Sequence, residues 1–214
     1  MATALALCPM VGTWENAPVT VVQGTQAQRI ARQKREELLD GAIAELVEHG
    51  WRGLQMQSVA KRVGVSRQTM YNSFDGREGL AAAMIEHLSN SFLDGFEMSF
   101  LSKDEPVEQW RAGIHYLLRR GSEDPALRTM LGAGAGNQFL ELLTSGSGSI
   151  VTHTRPRMTE IAELHQPGLD HEHLLSAVET IIRMVLSNIV QSMESLTRIA
   201  EDLTGMITGF LKVS

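Results

Sequence analysis

Val59-Ala60-Lys61-Arg62-Val63-Gly64-Val65-Ser66-Arg67-Gln68-Thr69-Met70-Tyr71-Asn72-Ser73-Phe74 decides how this chain is read. Val59, Ala60 and Val63 form an apolar stripe at helical spacing, and Met70 and Phe74 do the same one helix later. Between the two stripes, Gly64 suits the left-handed backbone that ends a helix, because it has no β-carbon to clash. Ser66 can cap the second helix by accepting from the amide of Gln68 or Thr69. Two short helices set at an angle by a glycine turn make a helix-turn-helix, whose second helix enters the major groove of DNA. The side chains left outside are Arg67, Gln68, Thr69, Tyr71 and Asn72, types that bond base edges and phosphates. Gln57, on the first of the two helices, is a further candidate DNA contact.

The flanking residues extend the pattern. Upstream, Arg35 to Trp51 reads as one amphipathic helix that stops at Gly50 and is followed by an aromatic. Downstream, Arg77-Glu78-Gly79-Leu80 opens a long helix directly after Phe74. Across residues 30–85 this arrangement resembles the TetR family of bacterial transcriptional repressors. The resemblance implies an all-α chain: an N-terminal three-helix DNA-binding domain with the helix-turn-helix, then a C-terminal helical domain that binds ligand and dimerises. The expected division is an N-terminal arm at 1–27, the reading head at 28–75 and the body at 76–214. It also implies phosphate contacts from Tyr71 and Arg77, which Thr69 could join. Three positions depart from the family's pattern. Gln68 stands where a small residue is common, Asp75 where proline is frequent, and Gln55 where a hydroxyl residue usually caps the first helix of the pair.

Composition agrees with packed helices. The chain has 214 residues, with 43% hydrophobic but only 5% aromatic side chains, which suits cores built from aliphatic residues and Met. Its one cysteine, Cys8, leaves no partner for an internal disulfide and points to a reducing cytoplasm. The apolar stretch from Ala2 to Val11 has no basic residue ahead of it and contains a proline, so it does not read as a secretory signal. No unbroken apolar run reaches the roughly 20 residues of a membrane span. A cytoplasmic protein with no membrane partner is expected.

The net charge of −6 looks wrong for a DNA binder until it is divided along the chain. Residues 28–77 hold nine basic residues against six acidic ones, while residues 78–214 hold ten against eighteen. Phosphate attraction needs only a local basic face, and an acidic body turns that face toward the duplex. The arm ahead of it is small and polar, and reads most simply as a loosely packed tail. Arg29, Arg32, Lys34 and Arg35 at its base are the residues that could reach a minor groove.

Beyond Phe74 the periodicity predicts helices over about 76–100, from Pro106 onward, from Asp124-Pro125 to near Gly132, over 135–145, over 150–165 despite Pro156, and over 170–192 and 195–212. Gln166-Pro167-Gly168 reads as a turn. In the penultimate helix Leu174, Val178, Ile181, Val185 and Ile189 form one apolar line, and Leu175, Ile182, Leu186, Val190 and Met193 a second. One neighbour cannot cover so wide a surface. The resemblance implies that the last two helices pack on a symmetry mate as a four-helix bundle, and a two-fold homodimer would meet two half-sites of a palindrome. The second line is expected to face that partner.

Phe92, Phe96, Trp110, Ile114, Phe139, Met158 and Met184, with Leu88 and Ile161, are candidates to line an effector cavity. Polar neighbours would come from His87, His115, Tyr116, Asn137, Gln138, Thr180 and Asn188. For any one of them ordinary core packing is the plainer reading, but together they suit a small hydrophobic effector: acyl, lactone, aromatic or drug-like.

Glu163, His165, Asp170, His171, Glu172 and His173 crowd one turn, but His171 and His173 are two apart, whereas zinc-binding pairs on a helix are four apart. A solvated turn explains them better, and no metal or other cofactor is expected. Gly132-Ala133-Gly134-Ala135-Gly136 follows no strand and precedes no Lys-Ser/Thr, so it is not a phosphate loop. No nucleophile is paired with a base at a recognisable spacing, so no catalytic residue is assigned. The expected function is a ligand-responsive repressor released from a palindromic operator. An all-helical scaffold without DNA activity ranks below it and an enzyme lower still, since neither has reason to expose Arg67, Gln68, Thr69 and Tyr71 together.

Overall fold

The computed structural model describes residues 25–131, 150–190 and 194–213, and those residues form helices and connecting turns, with no strand among them. Helix α1 (Gln26–Gly53) starts well before the apolar pattern that predicted it. Its start is set by a capping box: the Thr25 hydroxyl accepts from the Gln28 amide at 3.3 Å, and the Gln28 side-chain oxygen accepts from the Thr25 amide at 2.8 Å. The first turns carry no buried residue and are supported from the side, Arg32 lying 3.6 Å from Glu36. Gly50, at φ 69° and ψ 173°, breaks the helix before Trp51.

Helices α2 (Met56–Val63) and α3 (Arg67–Phe74) form the predicted pair. Gly64 takes the left-handed conformation (φ 72°, ψ 29°), and the Val65 amide donates back to the Ala60 carbonyl at 2.9 Å. The Ser66 hydroxyl accepts from the Thr69 amide at 3.0 Å, which settles which of two amides it caps. Gln55 makes no side-chain bond at the start of α2. Met70 and Phe74 pack with Leu38, Leu39, Ala42 and Leu46 of α1 and with Val59 and Ala60 of α2.

Asp75, in left-handed backbone at φ 51°, ends α3 and immediately precedes α4 (Gly76–Phe100). The two helices meet closely at Gly79, where a β-carbon would lie 1.7 Å from the Phe74 carbonyl oxygen. Any side chain there would force α4 away from α3, so the reading helix and the long helix are locked together.

The body adds α5 (Pro106–Glu123), α6 (Pro125–Leu131), α7 (Ile150–His165), α8 (His171–Val190) and α9 (Leu196–Leu211). Helix α4 packs along α5 and α7, α7 along α8, and α9 against both α5 and α8. Phe96, Phe100 and Trp110 meet at the centre, the Phe100 and Trp110 rings edge-on at 5.3 Å. Below them Gln166 accepts from Trp110 Nε1 at 3.1 Å and donates to the Gln109 side chain and the Pro106 carbonyl, which pins the α7–α8 turn to the start of α5. Helix α6 leaves the body and packs on α1 of the head. Helix α8 has the length and mean hydropathy (1.3) of a membrane span, although polar residues interrupt its apolar ones. Leu174, Val178, Ile181, Ile182 and Val185 are nevertheless buried, the helix packs on α7, α5 and α9, and His171, Glu172, His173 and Arg183 stay exposed.

A candidate DNA-reading face and a ligand cavity

On the outer face of α3 the exposed side chains form two i,i+4 pairs. Arg67 donates to the Tyr71 hydroxyl at 3.3 Å, with its guanidinium 5.2 Å from the ring centre, and Gln68 donates to the Asn72 side-chain oxygen at 2.8 Å. Both pairs leave donors unused, since guanidinium has five N–H groups and each amide has further capacity. Thr69 is half-buried and its hydroxyl meets that of Ser66 at 2.9 Å, so it is turned toward the cap. Gln57 is exposed on α2.

Other basic residues of the head work internally. Arg77 donates to the Trp51 carbonyl and stacks 4.3 Å over the Trp51 ring, tying the start of α4 to the end of α1. Arg35 donates to the Ser73 carbonyl at 3.0 Å and covers Phe74 at 4.8 Å, which clamps α1 to the end of α3 and takes it out of the arm's reach. Arg62 binds Glu45 at 2.8 Å and grips both oxygens of Glu48, holding the Glu48 carboxyl below its ordinary range through that hydrogen bond. Glu45, Glu48 and His49 lie close enough to suggest a cation site, but a guanidinium already serves the two carboxylates. Arg29, Lys34, Arg52 and Lys61, exposed and without an ion pair among the described residues, remain with Arg67 as free positive charge.

In the body, α4 to α8 enclose a cavity of about 60 Å³. Ile85, Leu88, Ser89, Phe92 and Leu93 line it from α4, Leu117 from α5, and Leu127 and Met130 from α6. Ile150, Thr154 and Met158 line it from α7, and Ile182, Val185, Leu186 and Ile189 from α8. Of the residues expected there, Phe92, Met158 and Leu88 take part. Phe96, Trp110 and Ile114 do not, being fully buried in the aromatic centre, and Ile161 is packed elsewhere in the core. Met184 is 41% exposed on the outside of α8. Phe139, Asn137 and Gln138 lie outside the described residues. His87 is bonded to Asp40 of the head at 3.1 Å, and Asn188 to the Met184 carbonyl at 2.8 Å. His115 and Tyr116 face a separate polar groove between α5 and α9, and Thr180 faces the α8–α9 groove.

The second apolar line of α8 does not form one outward face. Ile182 is only 4% exposed and, with Leu186, belongs to the cavity wall; Leu175 is half-buried; Val190 is 54% exposed; Met193 lies outside the described residues. The outward apolar surface is instead Met184, Val190, Met206 and Phe210, beside a groove of about 360 Å³ bordered by Ser176, Thr180, Met206 and Phe210. At the α7–α8 turn Asp170 accepts from the His173 amide at 2.9 Å, capping α8, and His171 bonds Glu163, which raises the His171 pKa.

Residues 38–84 match the family model for bacterial regulatory proteins of the tetR family, and residues 106–208 match that for the bacterial tetracyclin repressor C-terminal domain. The chain is 27% identical over 197 residues to the HTH-type transcriptional regulator AlkX of Mycobacterium tuberculosis, spanning 91% of this chain and 92% of that one. It is 26% identical over 102 residues to the fatty acid metabolism regulator protein of Bacillus subtilis, spanning 47% of this chain and 53% of that one. Among solved structures it resembles the TetR family repressor AlkX of Dietzia sp., implicated in biodegradation of n-alkanes. That match has a TM-score of 0.71 at 27% identity and covers 84% of this chain and 96% of that one.

Proposed function

The chain belongs to the TetR family of ligand-responsive, DNA-binding transcriptional regulators, and from that premise we propose a homodimeric repressor that leaves its operator when a compound bearing an alkyl chain enters the α4–α8 cavity. The observation that carries this reading is the cavity wall. It is apolar apart from Ser89 and Thr154, has no charged side chain among the described lining residues, and is contributed in part by the two helices that touch the head. Apolar pockets between helices take apolar ligands, and the names of two relatives, one tied to n-alkanes and one to fatty acid metabolism, point the same way.

At about 60 Å³ the cavity is smaller than a ligand-filled one, so an entering chain spreads its walls. Leu127 and Met130 are on α6, which packs on α1; Ile85 to Leu93 are on α4, which is locked to α3 through Gly79. Spreading these two helices moves the reading heads. The ligand weakens DNA binding only as far as it prefers the spread form. The dimer places two α3 helices in successive major grooves about 34 Å apart, with Arg67 and Gln68 reading bases and Tyr71, Asn72, Thr69 and Gln57 beside them. Its interface is the outward surface of α8 and α9 around Met184, Val190, Met206 and Phe210.

The test is an operator duplex selected from a random pool, followed by fluorescence anisotropy in the presence of candidate effectors. Chains of ten or more carbons should release the protein, and naphthalene of the same carbon number should not. Release by naphthalene alone would overturn the alkyl-chain reading.

A further inference from the structure

A hydroxyl buried inside a helix normally donates to the carbonyl four residues back. Here Thr154, Thr204 and Thr208 follow the rule, donating to Ile150, Ala200 and Thr204 at 2.5, 2.6 and 2.8 Å. Ser89 does not. It is 5% exposed, lies on the cavity wall of α4, and its hydroxyl has no hydrogen bond among the described residues. Thr159 has a fully buried hydroxyl without a partner among the described residues, but it lies outside the cavity lining.

A buried hydroxyl that bonds nothing costs stability unless something arrives to satisfy it. Among the described residues Ser89 opens onto a cavity with otherwise apolar side chains, apart from Thr154 on the facing helix, whose proton is committed but which can still accept. Helices α4 and α7 meet alongside them, where Arg157 reaches the carbonyl of Asn90, the neighbour of Ser89, at 3.5 Å. No described lining residue carries a positive charge, and residues 132–149, which join α6 to α7 in sequence, contain no Lys, Arg or His. Arg120, 5.4 Å over the ring of Phe92, is held by the buried Asp124 at 2.7 Å.

We propose that Ser89 is the polar anchor of the effector, so that the cavity takes an alkyl chain ending in an uncharged oxygen, an alcohol or a carbonyl, in preference to bare hydrocarbon or to a carboxylate. This rests on the cavity being the effector site. An uncharged oxygen satisfies Ser89 without asking for a counter-charge that the wall does not hold, whereas an ionised carboxylate would be desolvated unpaired. A site built around one hydrogen bond also discriminates against the analogue that lacks it.

The experiment uses the full-length protein and displacement of the neutral chain-shaped fluorophore methyl parinarate by n-decane, 1-decanol or decanoate at pH 8. The wild type should prefer 1-decanol to n-decane by about five- to tenfold, the worth of one hydrogen bond in a dry site. Ser89→Ala should bring that ratio close to one, and Ser89→Thr, which keeps the hydroxyl, should restore it; comparing ratios cancels solubility. An unchanged ratio in Ser89→Ala, or decanoate binding tightest, overturns the anchor. Equal binding of decane and decanol by the wild type overturns the anchor while the cavity reading stands. No displacement by any chain overturns both.

Discussion

Replacing Phe210 by glutamate separates the roles of the two faces of the last helices. Phe210 is 54% exposed on α9, its ring edge-on to His173 at 5.6 Å, at the rim of the α8–α9 groove. In an isolated protomer Phe210→Glu gives up that ring contact, about 0.5–1.5 kcal/mol, and its carboxylate stays in water. In a two-fold interface the same patch meets itself, so the new charge is buried once from each protomer, at a cost of several kcal/mol per ion. The interfacial cost exceeds the protomer cost several-fold, so the variant should be a folded monomer that has lost operator binding, because one head cannot hold two half-sites. Ile182→Glu should behave in the opposite way. Ile182 is 4% exposed in the cavity wall, so its charge would be buried within the protomer, and the variant should lose stability whatever its oligomeric state.

Sedimentation velocity gives the mass, circular dichroism the helicity, urea titration the stability, and anisotropy the operator affinity. A Phe210→Glu protein that remains dimeric at micromolar concentration and binds operator normally would refute the outward face as the interface. An Ile182→Glu protein that is monomeric but fully folded would return Ile182 to the interface and refute its place in the cavity.

Three further outcomes follow from the same geometry. Arg67→Ala should weaken binding to a selected operator by about 1–3 kcal/mol more than binding to random duplex; equal loss on both, read by anisotropy, would put Arg67 on phosphate. Arg77→Ala should lower the urea-unfolding free energy by about 1–3 kcal/mol through loss of its bond to the Trp51 carbonyl, with the salt dependence of DNA binding unchanged. A salt slope reduced by about one ion at unchanged stability would return Arg77 to the phosphate role. Because its hydrogen bond to Glu163 raises the His171 pKa above 6.5, the pair stabilises the fold below that pH and ceases to do so as pH rises through the folded-state value. The stability difference between wild type and His171→Asn should therefore be larger near pH 5.5 than at pH 8, and a difference independent of pH would remove the pair from the account.

The helix-turn-helix was legible because its determinants are local: a glycine that must be left-handed, a serine three residues before the amide it caps, and apolar residues at helical spacing. The first turns of α1 were not, because they bury nothing; what starts that helix is the reciprocal Thr25–Gln28 box. Counting charges overstated the phosphate-binding set. Arg35 and Arg77 each give a donor to an internal carbonyl, of Ser73 and of Trp51, and sequence cannot show which helix ends lie within reach of a guanidinium. The cavity was misread for a related reason. Large rings seemed suited to a pocket wall, yet Phe96, Phe100 and Trp110 stack at 5.3–6.3 Å and fill their space completely. The void lies mostly among aliphatic side chains, with Phe92 the one ring among its described lining residues.

Helix α8 shows why periodicity alone could not divide its apolar surface. Leu174, Val178 and Ile181 are core; Ile182, Val185, Leu186 and Ile189 face the cavity; Thr180, Met184 and Val190 point outward. Successive residues turn by about 100°, so residues three or four apart lie only about 40–60° from each other around the axis, and the two apolar lines border one another. Ile182, placed by pattern on the outer line, is rotated beside Val178 and Val185, and only the neighbouring helices decide which line becomes the wall. With the partner on the outward stripe, one helix carries the ligand on its inner side and the symmetry mate on its outer side. An effector that displaces Ile182 and Leu186 then pushes on the dimer contact directly, and the distance between the two reading heads is set by that same contact.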